Sequence, residues 1–414
     1  MTTPKLIENN IPPDAISIVR CKDYDVTAVT TSIQKALSYF GGIEAFIKPC
    51  DRVLLKPNLL SDSKPETAIV THPAIVDAVV KMVRAAGGIP IIADSPGAGI
   101  AYTPNALKKV YKVAGYDKIA PNDDSLLNFD TTWSLVANPQ AKLVKRLEVI
   151  SPALNCTKII NLPKFKTHTF TIFSGAIKNM FGVVPGFVKP GYHARLQDVD
   201  HFSEMLLDVI TRIKPTLNIM DAITGIEGDG PGALGMIRKI GLILVCPDAI
   251  FLDAAAVKIA GFDVETIPFL TAAKKRGLLT YPTETIRIFG GELNDFRIPD
   301  FQKPKTYDPK GFGFRPSVQK LITPIVKNIF SLKPAVLKSK CIGCANCARG
   351  CPMKVIKIIN QKAKINHSDC IRCYCCIEGC PSAAIEAKLP RYTRFLYHTG
   401  VMGLFQKVRL EKID

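Results

Sequence analysis

Two runs of cysteine in the last quarter of the chain carry its most legible chemistry. Cys341, Cys344, Cys347 and Cys351, then Cys370, Cys373, Cys376 and Cys380, repeat the spacing C-x2-C-x2-C-x3-C, each run closed by a proline, Pro352 or Pro381. Thiolates at these steps wrap an iron–sulfur cubane: the first three of a run ligate one cluster and the fourth reaches across to the other. The spacing therefore predicts two [4Fe-4S] clusters. Cys341, Cys344, Cys347 and Cys380 would hold one, and Cys370, Cys373, Cys376 and Cys351 the other. No other cofactor is assigned. Cys375 falls inside the second run as a non-ligand, because only Cys376 keeps both spacings. Disulfides would leave one of the 13 cysteines over, and the opening MTTPKLIENNIPPD has no apolar leader towards an oxidising compartment. Structural zinc is held by paired C-x2-C knuckles and has no use for a third cysteine at the same step.

A second constellation lies upstream, in NLPKFKTHTFTIFSGAIKNMFGVVPG, residues 161–186. Lys164, Lys166 and His168 alternate, so in an extended chain they share one face. They follow a buried-type strand and lead into an expected helix over about 170–181, with Thr167 or Thr169 at its start. Two ammoniums, an imidazole and a helix N-terminus suit a carboxylate or phosphate. Lys164 and Lys166 are thus candidate anion-binding residues, while His168 and Lys178 are candidate catalytic ones. Solvated lysines and a capping histidine would leave the same letters. GIEGDGPGALG, residues 225–235, offers backbone amides and the carboxylates of Glu227 and Asp229 for acid–base work or metal binding; a tight surface loop explains it equally. Asn58 and Asp94 stand in loops after other strands, where they would rim the same cleft.

The elements that position these residues read as α/β. Strands at 16–20, 52–56, 89–94, 156–162, 216–222, 237–246 and 285–290 alternate with helices near 26–40, 73–86, 104–114, 198–213, 248–260 and 265–276. Strand, helix, strand in this order predicts right-handed crossovers and a mostly parallel, Rossmann-like sheet, with a small α+β two-cluster ferredoxin-like domain after it. The expected division is 1–291 for the body, 292–334 for a Pro/Lys-rich linker with a helix at 317–330, 335–389 for the cluster domain and 390–414 for a basic, apolar tail. No apolar run reaches the roughly 20 residues that span a bilayer, so a cytoplasmic protein is expected. The formal charge of +18 suits an acidic electron donor such as a ferredoxin or flavodoxin, a small anionic substrate or an apoprotein. It also allows a membrane surface to meet the tail. Nucleic acid is set aside, since no recognition motif accompanies the lysines.

The pieces VLLKPNLL, THPAIVDAVVKMVRAAGG, IADSPG, PKFKTH, GAIKNMFGVVPG and GDGP, in this order over roughly 50–290, resemble the domain-of-unknown-function family numbered 362. Its members are often fused to a bacterial-type two-cluster ferredoxin. The resemblance implies a cytoplasmic iron–sulfur protein of anaerobic or facultative microbes, and an oxidoreductase. His168, Gly175, Lys178, Pro185 and Gly186, with His193 or His201, are more distantly similar in layout to the nickel-pincer lactate racemase family, whose lysine holds the cofactor; Ala176 and Asn179 to Phe181 depart from that pattern. The expected function is an oxidoreductase passing low-potential electrons to an anionic substrate in the α/β body. An electron-transfer or cofactor-assembly protein without catalysis, and a racemase or isomerase, are the alternatives.

Overall fold

The computed structural model describes residues 11–97, 99–186, 188–279, 286–307 and 332–388. The body alternates strands and helices: β1 (Ala15–Arg20), α1 (Val26–Ser38), β2 (Arg52–Pro57), α2 (Pro73–Ala85), β3 (Ile89–Ile92), α3 (Pro104–Ala114), β4 (Trp133–Ala137), β5 (Arg146–Ile150), α4 (Ser151–Leu154), β6 (Lys158–Leu162), β7 (Lys164–His168) and β8 (Ile172–Phe173). It continues with α5 (Gly175–Asn179), α6 (Val188–Arg195), α7 (Val199–Arg212), β9 (Leu217–Glu227), β10 (Met236–Cys246), α8 (Ala249–Ile259), α9 (Pro268–Lys275) and β11 (Arg287–Phe289).

The main sheet runs β11-β1-β10-β9-β6-β2-β3. Strands β3, β2, β6 and β9 are parallel; β10 is antiparallel to both β9 and β1 and is the reversed strand of this path. Both faces are covered, because strand residues alternate between them. Val53 and Leu55 of β2 join the core under α1, α2 and α3, whereas Leu54 joins the core under α5, α7, α8 and α9. Sheets buried on both sides read as continuous apolar runs, which is why RVLL and KIINL were legible as strands.

Four departures from the sequence reading are found. The helix expected over 170–181 does not start at Thr167 or Thr169. Lys164–His168 is itself a strand that pairs with β9, the chain turns back as β8, and helix begins only at Gly175. The run TFTIF is β-branched and aromatic, which favours extended chain over helix. The expected loop at 225–235 begins as strand, since β9 continues to Glu227, and ends where β10 starts at Met236. The less regular stretch before 150 holds the β4–β5 hairpin. The first part of the expected linker packs on the body, where Phe296 and Phe301 are buried. The expected helix at 317–330 and the tail at 390–414 lie outside the described residues.

The small domain pairs β12 (Lys333–Val336) with a final strand, β15 (Ile385–Lys388), around a hairpin of β13 (Ile356–Ile359) and β14 (Lys362–Ile365) and two one-turn helices, α10 (Asn346–Arg349) and α11 (Cys375–Glu378). It sits on the body. Phe170 and Leu234 pack against its core, and a Cβ placed on Gly232 would lie 2.7 Å from the Glu378 carbonyl oxygen. On the other helix, the same construction at Gly99 would meet the Asn346 carbonyl oxygen at 2.9 Å. Glycine at both positions lets backbone meet backbone.

Candidate functional site

The cysteines surround two separate small cavities. One is lined by Cys341, Cys344, Cys347 and Cys380 with Ile358 and Ala363; the other by Cys351, Cys370, Cys373 and Cys376, with Cys375 and Tyr374. Each cavity groups three cysteines of one run with the fourth of the other, a donor set of the kind that takes a cubane. Backbone amides aim at two of the sulfurs: Ala363 N–H donates to Cys341 Sγ at 3.4 Å and Ala384 N–H to Cys380 Sγ at 3.2 Å. Such donors stabilise thiolate.

Strand β7 carries Lys164, Lys166 and His168 on one side, and all three are buried. Lys166 Nζ donates to Asn58 Oδ1 and to the Ile69 carbonyl, each at 2.8 Å, and touches no carboxylate among the described residues. Burial, and then the neighbouring Lys178, push its ammonium well below the ordinary lysine range. Asn58 is oriented from behind by a run of buried amides. Its Nδ2 donates to Asn179, Asn179 donates to Asn161, and Asn161 donates to Asn218, at 2.9, 2.7 and 2.9 Å.

His168 is hydrogen-bonded at Nδ1 and in close contact with a carboxylate at Nε2. Nδ1 accepts the Phe170 and Thr171 amides at 3.0 and 3.3 Å, which leaves the proton of the neutral ring on Nε2. Nε2 lies 2.9 Å from Oε1 of Glu378, the last residue of α11. Burial, then Lys178, hold His168 down at about 4, so the ring is neutral near pH 7. Burial pushes the Glu378 carboxyl up, but the His168 ring and the Lys178 ammonium outweigh it and keep it ionised. Lys178 is half-buried and has no hydrogen bond or ion pair among the described residues, yet its charge reaches Lys166, His168, Lys189, His193 and Glu378. His193 stacks on Phe202 at 4.3 Å, and its buried Nδ1 has no partner.

The other candidates take different places. Lys164 is paired with Asp221 at 2.8 Å, both side chains fully buried, with Tyr24 bridging them. Its charge is thus consumed within the fold. Asp94 pairs with Lys56 at 2.8 Å and accepts the Leu59 amide. Glu227 and Asp229 accept the amides of Gln302 and Lys305, fastening the segment after the body. Asp253 accepts the Ala176 and Ile177 amides at 2.6 and 2.9 Å and so occupies the start of α5 that was expected to meet an anion. Sequence reasoning missed Glu378, because a glutamate between two cluster cysteines gives no local sign of facing another domain. It also missed Asn161, Asn179 and Asn218, whose register along separate elements appears only once the sheet is assembled.

Residues 53–258 match the family described as Domain of unknown function (DUF362), and residues 333–381 match the 4Fe-4S dicluster domain. A thylakoid-associated protein of Synechocystis sp. is 32% identical over 307 residues, which cover 72% of this chain and 90% of that protein. The lactate racemase apoprotein of Thermoanaerobacterium thermosaccharolyticum aligns over 61% of this chain with 11% identity and a TM-score of 0.37, and the alignment spans 59% of that chain. The ferredoxin-type domain gives the chain iron–sulfur electron-transfer capacity. No helix among the described residues is long and apolar enough to cross a membrane. The chain belongs to the DUF362 family and carries a 4Fe-4S dicluster domain at its C-terminal side.

Proposed function

We propose that the protein is an oxidoreductase that reduces a small anionic substrate held at the junction of body and cluster domain, beneath Glu378. In this reading Cys341, Cys344, Cys347 and Cys380 hold one cluster, and Cys370, Cys373, Cys376 and Cys351 a second. Bound there, the clusters supply low-potential electrons one at a time. Lys166 and Lys178 bind the anionic group of the substrate, and Asn58 aims the Lys166 ammonium. His168 carries the proton that accompanies reduction on Nε2, the nitrogen that faces the cluster domain. Phe170, Phe181 and Phe202 wall the site with rings and exclude water around His193.

The observation that carries the reading is the 2.9 Å contact of His168 with Glu378, because that carboxylate stands between Cys376 and Cys380. It joins the strand that carries Lys166 and His168 to the cluster-bearing helix. The reading places the protein in the cytoplasm, supplied by an acidic carrier. The name of the Synechocystis relative supports work at a membrane surface, which the basic, apolar sequence 390–414 would favour. Iron and sulfide analysis of anaerobically purified protein, with native mass determination, tests this first: about eight irons per chain and a co-purified anion are expected. Adding that anion to dithionite-reduced protein should then discharge the reduced clusters. A protein with full clusters that no anionic metabolite oxidises would refute the proposal.

A further inference from the structure

The cluster domain presents two unlike sides. Its helices α10 and α11 face the body, at Gly99 and Gly232. The opposite side is the β13–β14 ribbon, whose residues alternate in the period of two that a strand imposes. Ile358 and Ala363 point inward and line the Cys341 cavity, while Ile356 and Ile365 line the Cys370 cavity. Outward stand Lys357, Ile359 and Lys364. Lys357 and Lys364 are direct cross-strand partners. Two like charges so placed repel, and neither has an ion pair among the described residues.

The ribbon turn abuts the first cysteine loop: a Cβ on Gly343 would lie 2.6 Å from the Gln361 carbonyl oxygen. Two large apolar side chains are therefore brought to one rim, Ile342 at 66% exposure and Ile359 at 47%. Cys344, which lines the same cavity as Ile342, is exposed, whereas the other seven cysteines of the two runs are buried or half-buried. Lys338 and Lys340, also exposed and unpaired among the described residues, precede the loop. The domain as a whole carries ten lysines and arginines against three acids over residues 332–388. Two exposed isoleucines, four exposed lysines and the exposed cysteine of the set mark one face.

We propose that this face docks an acidic one-electron carrier protein, and that electrons enter the chain there, beside Cys344. Charge complementarity selects the partner, because exposed lysines steer an acidic surface and repel a basic one. One electron leaves the reduced carrier and is gained at the Cys341 site, with no bond made or broken. The proposal rests on the reading that Cys341, Cys344, Cys347 and Cys380 hold a cluster, and it names the supplier of that reading's electrons.

Calorimetry of oxidised holoprotein with an oxidised, acidic [2Fe-2S] ferredoxin tests it. Binding should weaken steeply as salt shortens the screening length from about 30 Å to about 8 Å. Lys357→Glu/Lys364→Glu should weaken it about tenfold or more at low salt, and Lys338→Glu/Lys340→Glu likewise, while Lys35→Glu on α1 leaves it unchanged. An unaltered cluster spectrum identifies the variants that remain folded. Carbodiimide cross-links, which join lysine to carboxylate without a spacer, should fall between Lys338 and Lys364. Equal binding by both double variants, cross-links on the body, or no binding by the unaltered protein would overturn the proposal. Intact carrier binding without discharge by any anion would instead break the substrate reading and leave this face standing.

Discussion

Lys164 and Lys166 stand two residues apart on one strand, with burial alike and partners unlike, and this difference separates structure from function. Lys164 neutralises Asp221, so Lys164→Met would leave a carboxylate buried and unpaired, at a cost of about 3–5 kcal/mol. Asp221→Asn added to it should recover much of that loss in thermal unfolding. Among the described residues, Lys166 is held only by an amide oxygen and a carbonyl. Burying an ammonium without a counter-charge is costly, so Lys166→Met should keep or raise the melting temperature while abolishing the upward shift that a bound anion gives the unaltered protein. A melting temperature that falls as far in Lys166→Met as in Lys164→Met would assign Lys166 to the framework. Lys178→Met, which removes a side chain without a described partner, should behave as Lys166→Met does.

At the scale of elements, α5 is set in place by a residue far along the chain. Gly175 has φ +60 and its Cβ position falls on the Asp253 carboxylate, so glycine there admits the side chain that takes the Ala176 and Ile177 amides. Burial pushes the Asp253 carboxyl up to about 8 against the pull of those amides. A carboxyl raised on folding gives stability that is fully present below its unfolded value near 3.9 and is lost as pH rises through about 8. Relative to Asp253→Asn, the unaltered protein should therefore lose stability between about pH 4 and about pH 8 and run parallel above that, as followed by melting temperature; a parallel profile for the two throughout would refute the assignment. The helices and buried strands of the body were legible in sequence because their signals are local: apolar runs, stripes such as Ile75, Val76, Val79 and Val83, and a cap such as Asp248. The period-two pattern of KFKTH was legible too. Its burial was not, since charged residues go inside only when partners distant in sequence receive them, as Asn58 receives Lys166 and Glu378 meets His168. The delayed start of α5 escaped for the same reason, because its cap comes from α8.

Across the whole molecule, two units of unequal self-sufficiency meet. The body has two extensive apolar cores, but five of the twelve buried residues in the small domain's core are cysteines. Its folding should depend on iron, as small metal-held domains do. Removing the clusters with chelator should raise hydrogen exchange throughout 332–388 and in the 168–171 turn that meets Glu378, and leave β2 and α2 protected; uniform loosening of the chain would argue against separate units. The central claim concerns the junction between them, where an anion on Lys166 and Lys178 receives electrons from beneath Glu378. Its most direct test is rapid mixing of dithionite-reduced protein with the anionic fraction of a deproteinised cell extract, read by the electron paramagnetic resonance signal of the reduced clusters. The account predicts that the signal collapses in the unaltered protein and persists in Lys166→Met/Lys178→Met, although both reduce equally with dithionite. Equal collapse in the two proteins, or persistence in both, would contradict it.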